Sequence, residues 1–237
     1  DSEVPSGQTM PNYTQAINIL SAPENHRFLR NIKRGIEKES LRVTDAGQLS
    51  QAPHPEGLGS ALTNPRITTD YSESLLELIT PPANSIDTTL QTLWDTHAFT
   101  YRQMGDELLW VNSMPCSLGE DSSIPIARYG SSNIAKMKEV YRLGLGHRYG
   151  RLMQTIAGIH YNWSVPDELL SVLQTATANA SSFQTYKTSA YFGLIRNFRR
   201  HTWLLLYLFG AAPAICKSFV KQRQHRLVPF GEDSHTL

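Results

Sequence analysis

The chain has 237 residues, of which 40% are hydrophobic, 9% aromatic and 18% charged. That is a globular composition, which excludes disorder, collagen and coiled coil as its main character, and the length suits one large domain or two small ones. Lys and Arg number 22 against 21 Asp and Glu, a net charge of +1, so a whole-chain basic footprint for nucleic acid is absent.

Residues 1–9 read as a polar, disordered lead with Met10 as a natural start, and lack the basic and apolar regions of a secretory signal. Residues 11–29 alternate at helical spacing, interrupted near Pro23. Over 32–43 the period changes to that of a strand, which puts Glu37 and Glu39 on one face. Turns follow at 45–47 and 54–57, then strand pieces at 67–70 and 75–80, stopped by Pro81 and Pro82. Ser85 caps a predicted helix to about Met104, with Asp87 in its first turn and an apolar stripe of Leu90, Leu93, Trp94, His97 and Tyr101.

Residues 112–130 are loop-like. Ser132 or Asn133 caps a helix to about His147, and 153–165 reads as a strand. Its odd positions are mostly apolar, whereas Gln154, Ile156, Gly158, His160 and Asn162 mix hydrogen-bonding groups with a bare glycine. Pro166 opens a mostly helical remainder to about Val220. Within it the longest apolar run, 203–215, is broken by Gly210 and Pro213 and falls short of the roughly 20 residues a bilayer span needs. With no internal repeat and no βαβ rhythm, the order favours an α+β fold with a largely antiparallel sheet.

Charge is unevenly placed. From Leu169 to Gly231 there is no acid, but Lys187, Arg196, Arg199, Arg200, Lys217, Lys221, Arg223 and Arg226 give +8. Two readings stand open: a solvated helical surface whose acidic partners lie elsewhere, or a basic wall near an anion such as a phosphate. Cys116 and Cys216 make neither a disulfide framework nor a zinc site, which points to a reducing compartment; Cys116 has no nearby base and reads as a buried thiol rather than a nucleophile.

Four carboxylates and one imidazole stand out as candidate chemistry: Glu37 and Glu39 on one strand, Asp70 and Glu77 flanking another, and His160 on a third. Carboxylates projecting from one sheet face suit hard divalent ions. The residues alone equally allow an exposed edge strand and a core histidine. Gly158 suits close approach of a ligand or a tight bulge, and Tyr141, Arg142 and Leu145 share a helix as site or as ordinary packing. GxGxxG, Walker-loop and HExxH motifs are absent.

Longer blocks narrow this. RGIEKESLR at 34–42, HPEGLGSALT at 54–63 and ITTDYSESLLELITP at 67–81 are followed by MGDE at 104–107, SMPC at 113–116, YGSSN at 129–133 and RYG at 148–150. MQTIAGIHYN at 153–162, IRN at 195–197 and YLFGAAPAIC at 207–216 complete the series. In this order they resemble the proteobacterial glutamate–cysteine ligases.

The resemblance implies a glutamine-synthetase-like α+β fold, an antiparallel sheet funnel with outer helices, of which 10–237 is the N-terminal portion. It implies ATP-dependent joining of the L-glutamate γ-carboxylate to the L-cysteine amine through a γ-glutamyl phosphate, the first step of glutathione synthesis. Its implied metal ligands for Mg²⁺ or Mn²⁺ are Glu37, Glu39, Asp70, Glu77 and His160, with Glu37, Glu77 and His160 also expected to be catalytic. The implied cysteine pocket is Tyr71, Tyr141, Leu145 and Gln154, with glutamate along Ile156 to Gly158.

The family continues beyond the region of Pro229, so much of the nucleotide site is expected outside this chain, and the chain alone is expected to be inactive. Two alternatives are a related carboxylate–amine ligase with another acceptor and a non-catalytic metal-binding remnant. The resemblance further implies a cytoplasmic protein that is monomeric when complete, with small-molecule substrates and neither nucleic acid nor membrane as partner.

Overall fold

A computed structural model describes residues 10–115, 118–210, 213–220 and 224–236. The expected disordered lead and Cys116 lie outside the described residues. In chain order the elements are α1 (Tyr13–Ser21), α2 (His26–Arg30), β1 (Lys33–Val43), β2 (Ile67–Thr69), β3 (Leu75–Ile79), α3 (Ile86–Gln103) and β4 (Leu108–Leu109). They continue with α4 (Asn133–Tyr149), β5 (Ile159–Ser164), α5 (Asp167–Ala176), α6 (Phe183–Phe209), β6 (Ala214–Cys216), β7 (Val228–Pro229) and β8 (Ser234–Thr236). Mixed helix and antiparallel pairing agree with the α+β expectation.

The chain divides into two units. Unit 1 comprises 1–33 and 163–212, and its described elements are helical: α1, α2, α5 and α6. The Pro23 interruption is a short 3₁₀ turn, Pro23–Asn25, between α1 and α2. Asn12 caps α1 through a reciprocal pair with Gln15, which satisfies two otherwise orphaned amides. Tyr186 of α6 is buried, and Lys187 one residue on reaches Asp167 of α5 at 2.7 Å. One acidic partner for the basic stretch therefore stands just before it.

Unit 2 comprises 34–162 and 213–237 and holds the main sheet, ordered β2-β3-β1-β4, with β5 also paired to β1. In the β1–β3 ladder Glu37 faces Ile79, Glu39 faces Glu77 and Leu41 faces Leu75. In the β2–β3 ladder Thr68 faces Glu77. Because side chains alternate, one face carries Glu37, Glu39 and Glu77 at one end. Leu41, Val43 and Leu75 pack with Ala157 at its other end.

The opposite face is the principal core: Leu58, Ile67, Leu76, Leu78, Met104 and Leu109, with Leu93 of α3 packed against it. Truncating Leu76 or Leu78 to Ala costs about 2–5 kcal/mol in such a setting. β6, β8 and β7 form a second, three-stranded antiparallel sheet.

Three expectations are corrected. The α3 stripe does not face inward throughout: Leu90, Trp94 and Tyr101 are exposed, and Thr89 and Thr100 are buried instead. Thr89, Thr92, Thr96 and Thr100 each donate to the carbonyl four residues back, so their hydroxyls are satisfied locally and can enter an apolar interface.

The predicted strand from 153 begins only at Ile159. Leu152–Thr155 is a 3₁₀ turn, closed by Thr155 Oγ1 donating to Leu152 O. The predicted alternation of faces across 153–165 is therefore broken, and every residue of β5 is exposed.

Helix does not continue to Val220. Gly210, at φ +77°, ends α6 with its N–H bonded to Leu206 O, and Ala214–Cys216 is strand. A left-handed glycine followed by Pro213 stops a helix in this way. β4 was not foreseen; its two residues pair with Arg42 and Val43. Ser85 and Ser132 cap α3 and α4 as expected.

Candidate active site

β1 positions the first two carboxylates and β3 the third, with Glu77 directly opposite Glu39. Asp70 follows β2 in the turn that leads to β3. β5 brings His160 alongside β1: its Nδ1 lies 3.6 Å from a Glu37 oxygen and its Nε2 lies 3.7 Å from a Glu39 oxygen. The imidazole side chain is 60% exposed, so it is no core histidine.

Gly158 explains how the strands approach. Its N–H donates to Glu39 Oε2 at 2.6 Å, and its carbonyl accepts the Glu39 N–H at 3.0 Å. Asn162 Nδ2 donates to Glu37 Oε1 at 2.7 Å. Ser113 holds the preceding residue from both sides: its Oγ donates to Ala157 O, and its carbonyl accepts the Ala157 N–H.

The electrostatics follow from the crowding. Burial, then the charges of Asp70, Glu37 and Glu39 and a hydrogen bond with Glu37, push Glu77 up to about 7. Burial also raises Glu39, opposed by the Gly158 amide. Among the described residues, no three His, Cys, Asp or Glu side chains already form a closed metal-holding group. Carboxylate oxygens are nevertheless the donors that a hard divalent ion takes. Four mutually repelling carboxyl groups, with one driven to hold its proton, are what a cation relieves.

The other expected residues are more scattered. Tyr71 is 2% exposed, and among the described residues its hydroxyl has no hydrogen-bond partner. Tyr141 is exposed on α4, with Leu145 half-buried one turn later. Gln154 lies in the 3₁₀ turn, and Ile156 is half-buried in extended backbone. Among the described residues, no hydrogen bond joins Tyr71, Tyr141 and Gln154.

Sequence reasoning missed how the Asp70–Tyr71 corner is held. Arg142 Nε donates to Asp70 O at 2.5 Å, its guanidinium lies 4.7 Å over the Tyr129 ring, and the Tyr129 hydroxyl donates to Thr69 O. Lys138 also stands over that ring. The spacing of 138 and 142, one helical turn, was the available signal.

Comparison with known proteins decides the family. A family profile described as glutamate-cysteine ligase matches residues 17–237. The chain belongs to the glutamate–cysteine ligase family. A glutamate–cysteine ligase of Pseudomonas putida is 57% identical over 221 residues, covering 93% of this chain and 41% of that protein. One from Alcanivorax borkumensis is 54% identical over 219 residues, covering 92% and 42%.

Among solved structures, the glutamate–cysteine ligase of Francisella tularensis in complex with AMP superposes with a TM-score of 0.77. It is 45% identical, and the match covers 86% of this chain and 40% of that one. A bifunctional glutathione synthetase from Pasteurella multocida gives a TM-score of 0.71 at 33% identity, over 82% of this chain and 25% of that one. The chain thus spans about two fifths of the curated glutamate–cysteine ligases it matches. No helix among the described residues is long and apolar enough to cross a membrane.

Proposed function

We propose that this chain supplies the carboxylate face of an ATP-dependent ligase that joins the γ-carboxylate of L-glutamate to the amine of L-cysteine. The observation that carries the reading is the gathering of Glu37, Glu39, Glu77 and His160 on one sheet face, in a chain of this family. Glu37, Glu39, Asp70, Glu77 and His160 would hold Mg²⁺ or Mn²⁺. The ion would supply positive charge beside the phosphates of ATP, whose transfer depends mainly on positioning and charge neutralisation.

A glutamate γ-carboxylate oxygen attacks the γ-phosphorus of ATP, and the bond to ADP breaks. The cysteine amine then attacks the acyl carbon of the γ-glutamyl phosphate, loses its proton and expels phosphate. On the chain's own side, Asn162 and the Gly158 amide hold Glu37 and Glu39 in place. Glutamate would lie along the half-buried Ile156 to Gly158 segment, whose Ala157 and Gly158 backbone groups are already held by Ser113 and Glu39. Tyr71, Tyr141, Leu145 and Gln154 would line the side where the acceptor amine enters. We place this reaction in the cytoplasm, as the first step of glutathione synthesis, in a protein that acts as a monomer.

The test is ADP release by the full-length protein that contains this segment, with glutamate, cysteine, ATP and Mg²⁺. Turnover dependent on both amino acids is expected, and ADP release indifferent to cysteine would overturn the reading. The 237-residue chain by itself is expected to show no cysteine-dependent release above a Glu77→Ala control.

A further inference from the structure

Two glycines in the last turns of α4 differ sharply. A Cβ built on Gly144 meets nothing within 4 Å, whereas one built on Gly146 lies 2.5 Å from the Tyr71 hydroxyl and 3.4 Å from Arg151 Cγ. A contact of 2.5 Å does not persist, so either the helix or the Tyr71 side chain has to move. Glycine is among the poorest residues for a helix interior, yet 146 is the position where a side chain has no room.

Neither partner is free to yield. The Tyr71 ring is 2% exposed, and its carbonyl accepts the Ala127 N–H at 3.0 Å. The carbonyl just before it, that of Asp70, accepts from Arg142, which stands one turn from Gly146 on the same helix. The helix and the Asp70–Tyr71 corner are therefore pinned together beside the notch. Among the described residues the hydroxyl seated there has no hydrogen-bond partner, and it packs directly against the Gly146 position.

We infer that Gly146 is a positioning residue: the notch it leaves in α4 seats the Tyr71 hydroxyl, and so sets the Tyr71 ring against the helix that carries Tyr141 and Leu145. This rests on the reading of those residues as the acceptor side of a ligase. It assigns the Tyr71 ring, and not its hydroxyl, to the acceptor, because the hydroxyl is turned into the helix. A misplaced ring should weaken acceptor binding far more than it affects ATP.

The experiment uses the full-length enzyme with Gly146→Ala, Gly144→Ala, Tyr71→Phe and the pair Gly146→Ala with Tyr71→Phe. Gly146→Ala is expected to raise the KM for cysteine at least about tenfold, with the KM for ATP within about twofold, since small displacements of a binding group are costly. In the pair, Tyr71→Phe should restore most of the loss caused by Gly146→Ala, because the clashing oxygen is gone. Gly144→Ala should leave both KM values unchanged and raise Tm.

An unchanged cysteine KM in Gly146→Ala, or no rescue by Tyr71→Phe, would overturn the inference. Absence of cysteine-dependent turnover in the parent overturns the functional reading instead. The notch is then judged by Tm alone: a fall in Gly146→Ala that Tyr71→Phe repairs keeps the packing claim, and no such fall removes it.

Discussion

Glu39 and Glu77 stand directly opposite one another across the β1–β3 ladder. Burial of Glu77 is the main cost of its charge, and the like charges of Asp70, Glu37 and the opposing Glu39 add to it. Glu77 ionises at about 7 in the folded chain against an ordinary 4.5. Between those values the folded state holds the extra proton. Stability from this group is therefore present below about 4.5 and lost as pH rises toward 7.

Glu77→Gln should remove that dependence. Relative to the parent, the variant should gain on the order of 1 kcal/mol at pH 8 and little at pH 4, a figure reduced for the partial solvent exposure of the group. Urea unfolding of both proteins across this range measures the difference. Mg²⁺ should stabilise the parent at pH 8 more than it stabilises the variant. Parallel pH curves would mean the carboxylates do not communicate.

In the full-length enzyme, Glu37→Gln and Glu77→Gln should each lower turnover by about a hundredfold or more at saturating Mg²⁺, since each removes charge compensation from the reacting centre. Asp106→Asn, an exposed acid outside the cluster, is the comparison and should be near normal. Near-normal rates for both glutamine variants would remove the cluster from the reaction.

Arg42 is fully buried, with its guanidinium bonded to Glu107 at 2.6 Å and to the carbonyls of Ala52 and Glu73. Breaking such a pair leaves a charge without compensation. Glu107→Gln should cost about 3–5 kcal/mol, and Arg42→Met with Glu107→Leu together should cost much less. Denaturant midpoints of the three proteins decide this; equal losses in all of them would contradict it.

α6 presents Trp203, Tyr207 and Phe209 to solvent, with Tyr207 80% exposed. The 237-residue chain should accordingly bind a hydrophobic dye and self-associate, and salt alone should not reverse this, because the contact is apolar. A dye-silent monomer with cooperative unfolding would show that this face is not sticky.

What the sequence revealed depended on how local the cause was. Ser85 and Ser132 announce α3 and α4 because a cap acts within three residues. The alternation around Glu37 and Glu39 predicted a shared face, and β1 has one. The partner Glu77 was singled out, but its place opposite Glu39 is set by strand register, which no local spacing encodes. Gln154 was put on a strand because the turn that holds it depends on one threonine hydroxyl. Leu90 and Trp94 were expected inside because threonines that bond their own helix look polar in a sequence. Arg142 and Gly146 act on Asp70 and Tyr71 from about seventy residues away, a distance that only the folded chain closes.

Register has a further consequence for β1. Sliding this strand by one residue against β3 would exchange its faces, bringing Lys38 and Ser40 to the carboxylate side and turning Glu37 and Glu39 into the layer of Leu76 and Leu78. The buried Arg42 at the far end of the strand, matched to Glu107 and two carbonyls, allows no such slip without stranding a charge. The acidic face and the core layer are therefore set by one and the same register. A change that loosens the Arg42–Glu107 pair should accordingly disturb the spacing of the carboxylates as well as the packing beneath them.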